Sequence, residues 1–286
     1  MRLEGVFTAL VTPFRNGEVD YEALGECVER QIAAGVAGVS PVGTTGESPT
    51  LTMEEHSKVI EFVVEKCAKR CLVIAGTGGN STAEALRLTR EAAEIGADAT
   101  LQVTPYYNKP TPEGMYRHFS EVADKCGLPV VLYNVPGRTG KEIPIDVIAR
   151  LSKNPLMVAV KEAGGSVERV NAIKDACDII VLSGDDSLTL PMMAVGASGI
   201  VSVASNVFPK KVVDMVDFAL QGKFAEALKL HRELYPLFRD LFIESNPIPV
   251  KAAMAHLGMI AEEYRLPLCE ISAKNKETLL KTLGRY

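Results

Sequence analysis

Short apolar, β-branched runs alternate with amphipathic stretches along most of this chain, and the two periodicities predict strands and helices in strict succession. Gly5 to Val11 reads as a strand stopped by Thr12-Pro13, and Tyr21 to Ala34 as a helix. Gly35 to Gly43 is a small-residue strand. The helix behind it starts after Thr52, with Glu55 at capping-box spacing, and runs to about Lys69. Cys71 to Ala75, Asp98 to Val103 and Leu128 to Tyr133 are the next strands. Between them lie a helix capped by Ser81 or Thr82 that ends at Ile95, and one opened by Thr111-Pro112 that ends near Cys126-Gly127. Helix 145–151 leads to the apolar run Leu156 to Gly165. Helix 168–175, strand 178–182, helix 187–195, strand 198–203 and helix 209–220 complete the series.

Eight strand-helix units therefore precede residue 222. Three of the helix-to-strand joins read alike, with Gly35, Gly96 and Gly196 each stopping a helix ahead of a small-residue strand entry. Eight alternating units favour an α/β fold closed as a (β/α)8 barrel of the TIM type over an open sheet. Residues 223–286 hold three further helical patterns (223–243, 250–257 and 274–283), broken by Asn246-Pro247-Ile248-Pro249. The expected division is a barrel with the catalytic site over residues 1–222 and a C-terminal helical region packed on it over residues 223–286.

The run from Leu156 ends abruptly in Lys161, Glu162 and then Ala163-Gly164-Gly165. Alternation along a strand predicts Met157, Ala159 and Lys161 on one face and Val158 and Val160 on the other, with small Ala159 leaving room under the lysine stem. An amine drawn partly out of water is disfavoured as ammonium, which frees it to act as a nucleophile. Taken alone, the stretch reads better as a strand capped by a solvated lysine, and what changes that reading lies elsewhere in the chain.

In such a barrel the chemistry lies where strands end. Those positions hold Thr12, Gly43-Thr44-Thr45-Gly46-Glu47, Gly76-Thr77-Gly78-Gly79-Asn80, Thr104-Pro105-Tyr106-Tyr107-Asn108, Tyr133-Asn134, Pro136-Gly137-Arg138-Thr139-Gly140, Lys161-Glu162 and Ser183-Gly184-Asp185-Asp186. Each has an ordinary reading: a tight turn, an interface aromatic, a surface ion pair. The 76–81 loop lacks the third glycine of a dinucleotide fingerprint and follows the third strand, so nucleotide binding is discounted. Together the rim supplies an imine-forming lysine, a tyrosine on the neighbouring strand to move protons, a hydroxyl-lined loop for one carboxylate and an arginine for a second. That set suits joining a keto acid to another acid-bearing substrate.

Composition narrows the alternatives. With 47% hydrophobic residues among 286 the chain has material for a large core, and its net charge of −5, with signs interspersed, gives no basic stripe for nucleic acid. No apolar run approaches the ~20 residues of a membrane span, and the first residues lack a secretory h-region, so a soluble, cytoplasmic protein is expected. The six cysteines form no C-x-x-C pair, and the four histidines form neither H-x-x-x-H nor H-E-x-x-H, which leaves no sequence support for a metal site.

Three separated motifs, Val42 to Ser48 (VGTTGES), Tyr133 to Gly140 (YNVPGRTG) and Val160-Lys161-Glu162, closely resemble the dihydrodipicolinate synthases, within the pyruvate-dependent N-acetylneuraminate lyase superfamily. The likeness extends from Thr8 to Lys251. It implies a lyase of lysine and diaminopimelate biosynthesis that joins pyruvate to aspartate 4-semialdehyde as 4-hydroxy-tetrahydrodipicolinate. Lys161 would form the Schiff base, and Tyr133, Thr44 and Tyr107 would relay protons, the last reaching in from a neighbouring subunit. Thr45 would hold the pyruvate carboxylate, Val201 would line the pyruvate pocket, and Arg138 would bind the semialdehyde carboxylate. The resemblance further implies no metal or organic cofactor and a homotetramer built as a dimer of dimers. Lysine is implied as an allosteric effector at residues matching Ser48, His56, Asn80, Glu84 and Tyr106, although Met53 departs from the histidine or aromatic of some inhibited members. A sibling aldolase acting on N-acetylneuraminate or a keto-deoxy sugar acid would share Lys161 and Tyr133, but a sugar chain would want hydroxyl partners where Arg138 stands.

Overall fold

The computed structural model describes residues 3–286. Eight parallel strands close into a barrel in the order β1 (Gly5–Ala9), β10 (Gly199–Ser202), β9 (Ile180–Ser183), β8 (Met157–Glu162), β7 (Val130–Asn134), β6 (Ala99–Val103), β5 (Leu72–Gly76) and β4 (Gly38–Ser40). β2 (Phe14–Arg15) and β3 (Glu18–Val19) form a small antiparallel hairpin outside it. Sequence patterning missed that hairpin, since two-residue strands carry too little alternation to register.

Helices stand between consecutive barrel strands, and their starts follow local chemistry. Thr52 and Glu55 form the predicted capping box on helix Met53–Cys67, and Ser81 and Thr111 cap Thr82–Ile95 and Pro112–Cys126. Gly35 and Gly96 close their helices at φ of 82° and 96°, a left-handed conformation that a side chain would oppose. Two apolar layers result. An outer one lies between strands and helices, and an inner one, including Phe7, Ile74, Ala99, Val131, Ala159, Leu182 and Val201, fills the barrel itself.

Pairing of β7 with β8 is displaced once, where Val130 matches Met157 but Val131 matches Ala159. The extra residue moves the alternation of β8 by one at its start. Met157 consequently joins the outer layer and Val158 packs against the inner one, contrary to the simple alternation expected for the strand. Past the bulge the expected faces hold: Ala159 lies in the inner layer and Val160 in the outer.

Beyond the barrel, helices Phe224–Asp240, Ile248–His256 and Ala273–Leu283 pack on Pro209–Leu220 and on one another. The segment between the first two crosses the C-terminal mouth of the barrel, where the cavities lie.

Candidate active site

Two cavities open at the C-terminal rim and share Tyr133, Val135 and Arg138 as a common wall. The one containing Lys161 has a volume of about 310 Å³ and is also lined by Thr45, Gly184, Asp185, Val203 and Asn246. The other, about 210 Å³, is lined by Thr44, Ser48, Gly78 and Tyr106 among others. Tyr133 thus stands between the lysine and Thr44.

Register explains why Lys161 and Tyr133 meet. They are Cα partners on adjacent parallel strands, and the lysine Nζ lies 4.1 Å from the centroid of the tyrosine ring. The ring face suits a cation there, whether an ammonium or the iminium formed from it. Lys161 is 6% exposed, so its amine is turned into the barrel mouth and away from bulk water. Room for its stem comes from Gly184. A Cβ on that residue would lie 3.0 Å from the Lys161 Cε and 2.7 Å from the Ala163 Cβ.

The next residue anchors the strand end. Glu162 is fully buried and points to the opposite face, where its carboxylate accepts from Asn134 Nδ2 at 2.8 and 3.0 Å, from the Gly164 N–H at 2.7 Å and from Arg169 Nε at 2.9 Å. A buried carboxylate so completely matched resists rotation of β8 and fixes the direction of Lys161.

The loop after β4 is held on both sides. Thr12 Oγ1 donates to the Gly46 carbonyl at 2.7 Å, and Asn246 Nδ2 donates to Thr45 Oγ1 at 3.0 Å. Arg138, exposed at its outer end, donates through Nη2 to the Asn246 carbonyl at 3.1 Å. Asn246, which sequence reading treated only as a helix break, therefore lines the cavity and links Thr45 to Arg138, and its buried Oδ1 has no partner among the described residues. Phe238, Arg239 and Phe242 of the preceding helical segment complete the roof of the lysine cavity. Only the position of Asn246 in an Asn-Pro-Ile-Pro turn, an unusual place for an apolar chain to pause, could have hinted at this.

Other expected site residues fall in different places. Thr44 and Tyr133 share a cavity, but among the described residues no hydrogen bond joins them. Tyr107 is 90% exposed, lines neither rim cavity, and sits at φ 68° with the Asn108 N–H donating to the Tyr106 carbonyl at 2.8 Å. Val201 belongs to the inner barrel layer, whereas Val203 reaches the cavity wall.

Of the five effector-site residues, Ser48 and Tyr106 line the smaller cavity. Asn80 Nδ2 donates to the Tyr106 carbonyl at 3.2 Å, and burial, with a smaller contribution from the Glu84 charge, raises the Tyr106 phenol above its ordinary range. His56 is buried with Nε2 2.9 Å from the Gly76 carbonyl, and burial lowers its pKa. No group of three or more His, Cys, Asp or Glu side chains among the described residues is arranged to hold a metal, and no described helix is long and apolar enough to cross a membrane.

A closed parallel barrel with a lysine-bearing cavity at its C-terminal rim is the arrangement of a barrel enzyme. The chain belongs to the dihydrodipicolinate synthetase family, whose model matches residues 2–285. It is 52% identical over 286 residues to the 4-hydroxy-tetrahydrodipicolinate synthase of Methanococcus vannielii, covering 99% of both chains. The solved 4-hydroxy-tetrahydrodipicolinate synthase of Methylacidiphilum fumariolicum superposes with a TM-score of 0.98 at 51% identity, over 99% of this chain and 96% of that one. A dihydrodipicolinate synthase from Acinetobacter baumannii, solved with pyruvate, is 43% identical with a TM-score of 0.97 over 99% of each chain. One from Cyanidioschyzon merolae, solved with lysine bound, is 40% identical with a TM-score of 0.96 over 99% of this chain and 97% of that one.

Proposed function

We propose that this enzyme condenses pyruvate with L-aspartate 4-semialdehyde to give 4-hydroxy-tetrahydrodipicolinate, in the biosynthesis of diaminopimelate and lysine, and that Lys161 is where pyruvate is held covalently. The observation that carries the assignment of the lysine is its burial at the end of β8, in a cavity shared with Tyr133, Thr45 and Arg138.

The chemistry follows from an amine in that position. Lys161 Nζ attacks C2 of pyruvate, the carbonyl oxygen leaves as water, and an iminium forms. Its positive nitrogen draws electrons from the adjacent C–H bonds, so a methyl proton is lost to a base and the C3 enamine remains. That carbon attacks the aldehyde carbon of the semialdehyde, forming the carbon-carbon bond, while the aldehyde oxygen takes up a proton. The amino group of the second substrate then attacks C2, closes the ring and displaces Lys161 as the free amine. The lysine provides the electron sink, so the reading calls for neither metal nor organic cofactor.

Tyr133 carries protons from the lysine side to Thr44, a reading supported by its lining of both cavities. Thr45 and its loop seat the pyruvate carboxylate, with Val201 beneath the pocket. Arg138 takes the carboxylate of the semialdehyde, a planar donor for a planar acceptor. Tyr107 completes the relay from a neighbouring subunit of a homotetramer. A tyrosine held out in water on a left-handed backbone is strained for no gain within its own chain, and that supports the assignment. Since Phe238, Phe242 and Asn246 roof the cavity, the barrel over 1–222 and the helices over 223–286 act as one catalytic unit. Lysine is the effector of a second site, at the interface of the tight dimer, with Glu84 for its amine, Asn80 and Tyr106 as hydrogen-bonding groups, and Ser48 and His56 beside them. Pyruvate and lysine in the related structures support both assignments.

Borohydride reduction in the presence of pyruvate, followed by intact-mass measurement, tests the central claim. A single pyruvate adduct is expected on the native chain and none on Lys161→Ala. An adduct that survives that substitution would remove Lys161 from the mechanism.

A further inference from the structure

The loop that carries Thr44 and Thr45 ends in a residue that uses its buried charge on no substrate. Glu47 stands at φ 54°, a conformation disfavoured for any residue with a side chain, and Val42 at the other end of the loop stands at φ 50°. The Glu47 carboxylate is fully buried. Its Oε1 accepts from Lys251 Nζ at 2.5 Å, and its Oε2 accepts from the Arg265 N–H at 3.3 Å. Lys251 is itself fully buried, with Nζ 4.3 Å from the centroid of the Phe14 ring and 5.2 Å from that of Tyr264. Neither residue lines either rim cavity.

Two fully buried charges are an inefficient source of stability. Desolvation opposes their mutual attraction, and replacement by well-packed apolar groups is often neutral or favourable. What such a pair does supply is position, because a short charge-assisted bond in a dry site tolerates little displacement. Its place in the chain is informative. Lys251 lies on helix Ile248–His256, five residues after Asn246, and Asn246 grips Thr45 Oγ1 while accepting from Arg138. The C-terminal segment thus holds the loop at two points, Thr45 directly and Glu47 two residues on.

We propose that Glu47 and Lys251 are a positioning pair, which locks the Thr44-Thr45 loop to the C-terminal helix so that the carboxylate seat of the keto acid faces Lys161. The inference rests on the reading of Thr45 as that seat. It assigns to the C-terminal helices a function in substrate geometry, and neither residue touches the reacting atoms. Removing the bond while keeping the volume should leave a folded enzyme whose seat is displaced.

The test compares two double variants in the full-length protein. Glu47→Leu/Lys251→Met is apolar and has no bond, whereas Glu47→Gln/Lys251→Gln is equally uncharged and keeps a donor facing an acceptor. Thermal melting measures the fold, and the rate of borohydride-trappable adduct formation with pyruvate alone measures the seat. The apolar pair is expected to melt near the native temperature yet trap pyruvate on the order of tenfold to a hundredfold more slowly, the loss that a shift of about 1 Å brings. Its KM for pyruvate should rise, and the amide pair should recover part of both. Native trapping rates in the apolar pair would overturn the proposal. So would failure of that pair to fold, since the two charges would then be serving stability. Lys161→Ala, run alongside, separates this outcome from failure of the imine mechanism itself, which would show as an adduct in the absence of the lysine.

Discussion

Gly184 limits what can stand over Lys161. Its backbone needs no left-handed conformation, so the demand for glycine there is one of space: an added Cβ would lie 3.0 Å from the lysine Cε, 3.2 Å from its Cγ and 2.7 Å from the Ala163 Cβ. The far end of a lysine is flexible and will move, but the Ala163 Cβ, which is the closer contact, moves only with its backbone. Gly184→Ala is therefore expected to fold with a loss of about 1–3 kcal/mol, the range of overpacking that shifts backbone, while the displaced amine lowers kcat by roughly a hundredfold. Melting curves and steady-state rates on one preparation check both halves, and a variant with native kcat would show that the lysine has room elsewhere. Lys161 stood out in the sequence only once its strand was set sixth among eight units, beside Tyr133 and the Thr44-Thr45 loop, whereas Gly184 did not stand out at all. Sequence position locates the loop after β9, but nothing in Ser183-Gly184-Asp185 says which neighbour the missing Cβ makes way for.

Between β9 and β10 a buried carboxylate ties the turn after β9 to the end of β10. Asp186, in the short turn after β9, is buried and accepts from Ser202 Oγ at 2.5 Å and from the Val203 and Ala204 N–H groups at 3.0 and 3.2 Å. Burial outweighs those three bonds and pushes its carboxyl up to about 6 from an ordinary 3.8. A folded-state value above the unfolded one means that the native protein binds the extra proton. The contribution of this group to stability is thus fully present below 3.8 and is lost as pH rises through 6, a swing of roughly 3 kcal/mol. Urea titrations from pH 7 to pH 4 should show the native protein gaining stability relative to Asp186→Asn as the pH falls, and a constant difference would contradict this account. The helices were legible at this level because caps and stops are local: Thr52 with Glu55, and helix 209–220 and helix 145–151, lie where the pattern put them. Lost were features set by pairing. The bulge that turns Val158 inward depends on the register against Val130 and Val131, and the hairpin of Phe14 with Val19 is two residues deep. Asn246 acquires its use only when the C-terminal segment folds back across 201 residues of sequence to reach Thr45.

For the whole molecule the informative residue is the one that its own chain leaves idle. Tyr107 protrudes into solvent from a strained turn beside Tyr106, itself 40% exposed, and the two present an aromatic surface next to the smaller cavity. If a second copy covers that surface, each active site combines Lys161 of one chain with Tyr107 of another, and the assembly carries chemistry that a single barrel lacks. Complementation distinguishes this from a tyrosine acting in its own chain. Lys161→Ala and Tyr107→Phe are each expected to be nearly inactive alone. Mixed after mild dissociation and reassociation, they form hybrid pairs in which one site receives both substitutions and the other neither, so about a quarter of native activity should return at equal mixing, with half the pairs hybrid and one of two sites intact in each. The arithmetic requires the tyrosine to cross between chains. A tyrosine acting within its own chain would leave every site in the mixture with one of the two defects, and no activity would return at any mixing ratio.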